Sequence, residues 1–225
     1  MKLSRIKVSE VFLSFQGEGV NVGQPRVFVR LATSCPLSCS FCDSKYARTM
    51  SRSLTKDDIQ LMKEHPYIVF TGNEPLFSYG PSWILTIVDE IRPEYVEVET
   101  NGTIIPSSIY DLCSRIDLWT ISPKDPSVQD KEVDTTPHLL DWLNGHYFLD
   151  YVVKFVYNNR ESDVFILRTV EQYKVPHNNV WIMPRGENRK EYHRHLTSAW
   201  SFALTHKFNF SPRIHIDTFD KKRGV

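Results

Sequence analysis

The sequence has no surplus of charge: lysine plus arginine and aspartate plus glutamate number 27 each. Without a net field the chain has no global pull toward nucleic acid or an acidic membrane, so neither is an expected partner. Long apolar runs are missing too; nothing approaches the ~18 residues of a membrane span. The opening segment MKLSRIKVSEVFLSFQGEG is broken by charges and lacks the apolar core of a secretion signal. The expected compartment is therefore the cytoplasm, where thiols stay reduced. Linkers, low-complexity tracts and repeats are absent, which argues for a single domain over residues 1–225. Two local basic stretches, RGENRKEYHRH (185–195) and KKRGV (221–225), read as solvated surface. Cysteine is scarce: the chain has four, and three fall in CPLSCSFCDSKYA (35–47).

What recurs is a β-branched apolar run followed by a helical pattern. The strand candidates are RVFVRLA (26–32), YIVFTG (67–72), YVEVETNG (95–102), DLWTISP (117–123), YVVKFVY (151–157) and NVWIMP (179–184), with PRIHID (212–217) a seventh. Helical patterns fall between them: TKDDIQLMKEH, PSWILTIVDEIRP, PSSIYDLCSRI and ESDVFILRTVEQYK. In the first, Thr55 is placed as an N-cap with Asp58 three residues on, a variant of the capping box. Near the C-terminus Tyr192, Leu196, Ala199, Trp200 and Ala203 share one helical face, expected to be buried. Alternating strands and helices predict an α/β fold with a parallel sheet, a partial (β/α)6-type barrel with right-handed crossovers. Ligands of such folds gather beyond the carboxyl ends of the strands. Five polar clusters sit there: Cys35–Ser44, Thr71–Pro75, Glu99–Gly102, Ser122–Lys124 and Met183–Gly186. Turn chemistry alone explains one or two such clusters. Five on the same side predict a common rim.

Clustered cysteines in a reducing compartment point to metal binding or catalysis. A structural zinc site closes a tetrahedron with four ligands. Here the pattern is CxxxCxxC, and Cys113 lies in a helical pattern, where it reads as a core thiol. Three thiolates suit a 4Fe–4S cluster whose fourth iron stays open. With Phe41 before the last cysteine and a strand upstream, the motif resembles the radical S-adenosylmethionine superfamily. That resemblance implies that Cys35, Cys39 and Cys42 hold the cluster. Its open iron would chelate S-adenosylmethionine, and one electron would cleave the sulfonium to a radical that takes hydrogen from substrate. TGNEPL (71–76) is similar to the superfamily's Gly-Gly-Glu-Pro segment, so Thr71, Gly72, Asn73 and Glu74 join Phe41 as expected cofactor contacts. Asn73 stands where the second glycine is usual. The change is tolerated provided that Asn73 adopts the dihedrals required, and asparagine visits the left-handed region more readily than most residues.

The match extends to FQGEGVNVGQPRVFVRL (15–31), CDSKYA (42–47), VETNGT (98–103), ISPK (121–124), VKFV (153–156), IMPRG (182–186) and SPRIHIDTFDKKRG (211–224). In this order they resemble the 7-carboxy-7-deazaguanine synthases of queuosine and deazapurine biosynthesis. The resemblance implies a carbon–nitrogen lyase that converts 6-carboxy-5,6,7,8-tetrahydropterin to 7-carboxy-7-deazaguanine with release of ammonia. It implies Mg2+ on Ser44, Phe15, Gln16, Gly17 and Glu18 around the pterin, and Arg30 on the substrate carboxylate. It further implies Glu99 near the ribose hydroxyls, Ser122 and Lys124 near the cofactor, and His215 near the substrate. A homodimer and a reducing partner such as flavodoxin come with it. One departure falls before the cysteines: RLATSC places Arg30 five residues ahead of Cys35 where the family pattern has four, with Thr33-Ser34 in place of glycine.

Blander readings stand beside these. Asp43-Ser44 suits a turn or a helix cap, QGEG a loop, and a histidine on an apolar strand the core. An activase for a glycyl-radical enzyme shares CxxxCxxC but leaves QGEG, CDS and SPRIH unused. A non-catalytic zinc or iron–sulfur module leaves the polar rim unexplained.

Overall fold

A computed structural model describes residues 2–42, 44–146, 149–222 and 224. The chain opens with β1 (Lys7–Phe15), paired antiparallel with β2 (Pro25–Leu31), and β3 (Arg52–Ser53) pairs with the other edge of β1. Helices and strands then alternate: α1 (Lys56–Glu64), β4 (Tyr67–Thr71), α2 (Gly80–Ile91), β5 (Tyr95–Thr100), α3 (Ile109–Cys113), β6 (Leu118–Ile121), α4 (His138–Asn144), β7 (Tyr151–Tyr157), α5 (Arg160–Gln172), β8 (Val180–Pro184), α6 (Arg189–His206), β9 (Asn209–Phe210) and α7 (Ile214–Phe219). One sheet joins all nine strands in the order β3-β1-β2-β4-β5-β6-β7-β8-β9. From β2 to β9 every neighbouring pair is parallel. This is the expected α/β architecture, with the cysteine loop after the first parallel strand.

Local chemistry accounts for the elements. The Thr55 hydroxyl accepts from Asp58 N at 3.1 Å, and the Asp58 carboxylate accepts from Thr55 N at 2.8 Å, closing the capping box that starts α1. Strands β4 and β6 are buried along nearly their whole length, as parallel strands covered by helices must be. Along β5 to β7 the side chains split by parity. Val96, Val98, Trp119, Ile121, Val153 and Phe155 join the apolar core. Glu97, Glu99, Thr120 and Lys154 take the opposite face and pair among themselves.

Two expectations are corrected. PRIHID forms no strand: residues from Ile214 onward are α7, and the last strand is the short β9 before it. On α6, Trp200 is 56% exposed and packs on Phe210 with ring centroids 5.0 Å apart. Phe202 takes the buried place between Ala199 and Ala203. Cys113 is partly buried against the core, and burial pushes its thiol up to about 11. Asp43 lies outside the described residues.

Candidate active site

A cavity of about 530 Å³ opens beyond the carboxyl ends of the parallel strands, and all five polar clusters contribute to its wall. Every residue that the sequence assigned to a site lines it, with one exception. Glu74 is fully buried behind the wall, where its carboxylate accepts from Thr100 Oγ1 at 2.7 Å, Asn101 N at 2.8 Å and Leu76 N at 3.0 Å. Its side chain braces the ends of β4 and β5 and makes no contact with the cavity.

The cysteine loop forms one wall. Its middle is stitched to the segment after β6: Cys39 bridges Gln129, Ser40 N donates to the Val128 carbonyl at 2.9 Å, and Asp130 N donates to the Ser38 carbonyl at 3.0 Å. Each sulfur faces an N–H donor. Asn101 Nδ2 lies 3.7 Å from Cys35, Gln129 Nε2 3.3 Å from Cys39, and Arg48 Nη2 4.0 Å from Cys42. Such donors favour sulfur carrying negative charge, as a metal-bound thiolate does. In the metal-free chain burial pushes the Cys35 thiol up to about 11, so coordination has to displace a proton there. Among the described residues no three His, Cys, Asp or Glu side chains converge as ligands of a single metal ion. Phe41 lies beneath the Arg185 guanidinium, 5.2 Å from the ring centre.

The opposite wall is ionic. Lys154 Nζ contacts Glu18 at 2.7 Å and Glu99 at 3.4 Å, and Arg213 Nε meets the other Glu18 oxygen at 2.8 Å. Burial works to raise the Glu18 carboxyl, but the charges of Lys154, Arg213 and His215 outweigh it and hold the group well below the usual carboxylate range. Burial likewise pulls Lys154 down, and Glu18 and Glu99 raise it above the ordinary lysine value. One layer deeper, burial and then the charge of Glu99 raise Glu97, which accepts from Thr120 Oγ1 at 2.6 Å and Asn21 Nδ2 at 3.0 Å.

Gln16 and Thr71 both donate to Glu99, at 3.3 and 2.8 Å. The Gln16–Glu18 loop is knitted to the C-terminal segment through Ile214 N to the Gly17 carbonyl, 3.1 Å, and Gly19 N to Ser211 Oγ, 2.7 Å. A Cβ on Gly17 would fall 2.0 Å from His215 Nδ1, so glycine is what lets the histidine ring close over this loop. At Gly72, φ is +99° and a Cβ would meet the Arg30 side chain at 2.2 Å. Arg30 holds Glu10 through Nε at 2.8 Å and reaches Ser44 Oγ through Nη1 at 3.2 Å. Arg30 thus lies beside Ser44. Lys124 Nζ is folded onto Ser122, 2.6 Å from its hydroxyl. Phe15 stands at the mouth, 60% exposed.

Lys154 and Arg213 were given no role by the sequence, although VKFV and SPRIH were singled out. A lysine inside an apolar strand was the available signal, because a charge buried there demands a partner. Asn101, Gln129 and Arg48 carried no comparable mark.

No protein-family model matches the chain. It is 31% identical over 231 residues to the 7-carboxy-7-deazaguanine synthase of Pyrobaculum aerophilum, covering 98% of this chain and 97% of the relative. With the enzyme of the same name from Hyperthermus butylicus the identity is 32% over 225 residues, covering 94% and 92%. The fold is similar to the crystal structure of QueE from Escherichia coli, with a TM-score of 0.63, 17% identity and coverage of 92% and 93%. Near-full-length identity above 30% joins a shared fold and a cavity at the strand ends: the chain belongs to the 7-carboxy-7-deazaguanine synthase family of enzymes.

Proposed function

We propose that this cavity converts 6-carboxy-5,6,7,8-tetrahydropterin to 7-carboxy-7-deazaguanine, releasing ammonia, by radical chemistry. The observation that supports it most is a junction: one cavity is lined by the cysteine loop together with the Gln16–Glu18 loop and His215. Three thiols with three N–H donors fit a 4Fe–4S cluster held by Cys35, Cys39 and Cys42. With S-adenosylmethionine bound, such a cluster supplies the one-electron chemistry that begins with hydrogen abstraction from substrate.

The chain's own residues do the binding and orienting. Glu18, kept ionised by Lys154 and Arg213, is an acceptor for the N–H groups of a planar donor-rich ring, with the Gln16 amide beside it. Arg30 carries the cationic fork that suits a substrate carboxylate. Glu99, now accepting from Thr71 and Gln16, is placed to accept from ribose hydroxyls. Thr71, Gly72 and Asn73 on one side and Ser122 and Lys124 on the other are the cofactor's neighbours, with Phe41 and Phe15 as apolar surfaces.

Magnesium fits less well. Ser44 supplies one hydroxyl oxygen, which accepts from Arg30, and a cation has to displace that guanidinium. No step is derived through it. A reduced protein donor such as flavodoxin, and a homodimer, belong to the same reading.

An anaerobic assay with the pterin, S-adenosylmethionine and dithionite tests the proposal, with and without magnesium. The expected result is a product with the mass of 7-carboxy-7-deazaguanine. Cleavage of S-adenosylmethionine with the pterin left intact contradicts it and favours the activase reading.

A further inference from the structure

Two segments meet beside Cys35 and fasten each other. Asn73 Nδ2 donates to the Thr33 carbonyl at 2.5 Å, and the Thr33 hydroxyl donates to the Glu74 carbonyl at 2.8 Å. Behind them the buried Glu74 carboxylate accepts from Asn101 N at 2.8 Å, and Asn101 Nδ2 reaches Cys35 Sγ at 3.7 Å. These links close a ring. It runs from Cys35 along the backbone to Thr33, across to Glu74, on to Asn101 and back to the sulfur. A sulfur tied into a closed hydrogen-bonded network is restrained by each of its bonds, although Cys35 itself stays partly exposed.

Asn73 is not placed there for its backbone. Among the described residues the non-glycines at positive φ are Ser78, Arg92, Lys174, Lys207 and Asp220, so Asn73 does not take up the left-handed conformation. Its Oδ1 is buried without a partner, which costs stability, so the bond from Nδ2 is the favourable part of its amide. Thr33 is 7% exposed, and its methyl packs where a Cβ on Gly80 would approach within 3.2 Å. The two departures from the family pattern, the residues before Cys35 and the asparagine, are therefore in contact.

We propose that Thr33 and Asn73 are positioning residues for the cysteine loop, and that as a pair they set where Cys35 presents its sulfur to a metal cluster. The proposal rests on Cys35 being a ligand. Its test uses the reduced, metal-free full chain, so the outcome does not depend on a cluster forming.

Iodoacetamide labelling followed by peptide mass spectrometry gives separate rates for Cys35 and Cys113. The latter sits at the end of α3, outside the ring, and reports general loosening. In Asn73→Ala and in Thr33→Val, Cys35 is expected to label about fivefold faster, the size of one lost hydrogen bond, while Cys113 is unchanged. The double variant is expected to label faster than either single, because the two bonds join the same segments in parallel and each single variant leaves one of them closed. Thr33→Ser keeps the hydroxyl and is expected to keep the parental rate. Either single variant serves alone if the other fails to fold. Unchanged Cys35 labelling, a parallel rise at Cys113, or a double variant no faster than either single overturns the proposal. Iron retained after anaerobic reconstitution is read separately: faster labelling with no iron bound by the parent chain sinks the cluster reading and leaves the ring standing.

Discussion

The two walls of the cavity are built on opposite principles. On the Glu18 side, buried charges meet at 2.7 and 2.8 Å and satisfy one another before any ligand arrives. On the cysteine side, the three sulfurs are approached by N–H donors at 3.3 to 4.0 Å, and two of the three remain partly exposed. The first wall is preorganised; the second is arranged to receive something. Stability should therefore be concentrated in the ionic wall and metal affinity in the other, so substitutions on the two sides should separate these quantities.

Lys154→Met gives the largest expected effect. It leaves the half-buried Glu18 and Glu99 without their shared cation, with only Arg213 still on Glu18, a loss of at most about 3 kcal/mol, visible as a lower urea midpoint. Cys42→Ala removes a partly exposed thiol and should leave that midpoint nearly unchanged while abolishing iron retention. If both variants lose stability equally, the contrast between the walls is false.

The pH dependence sharpens the same point. Glu18 has its carboxyl held low, so its contribution to stability is present above the ordinary glutamate value of about 4.3 and is lost as pH falls through the folded-state value. Lys154 has its ammonium raised, so its contribution is present below about 10.4 and is lost as pH rises through the folded-state value. The contribution of these two groups should be flat between these limits and fall outside them. In Lys154→Met the alkaline fall should shrink.

Gly17→Ala is a smaller disturbance. The added methyl displaces the His215 ring, at about 1–3 kcal/mol, and should lower the unfolding midpoint accordingly. Smallest is Gln129→Ala, which removes donation to Cys39 and acceptance from Ser38 N. It should cost about 1 kcal/mol and speed iron loss to a chelator by several-fold.

The sheet was readable because its parallel strands are short β-branched runs separated by helical periodicity. Strand β1 was hidden by its charges: Lys7 and Glu10 interrupt the apolar pattern, and its pairing with β2 is a tertiary fact. PRIHID misled through Ile214 and Ile216, whose alternation fits a strand. Arg213, anchored on Glu18, begins a helix there. The three cysteines stood out by their spacing, but Asn101, Gln129 and Arg48, which face their sulfurs, did not. The ionic wall was not legible, because Lys154 and Glu18 are 136 residues apart and only the rolled sheet joins them.

Electron paramagnetic resonance of the anaerobically reconstituted, dithionite-reduced chain tests the central claim most directly. A 4Fe–4S signal that shifts on addition of S-adenosylmethionine, and is lost in Cys42→Ala, is the predicted result. A signal indifferent to S-adenosylmethionine, or bound zinc with no signal, contradicts it.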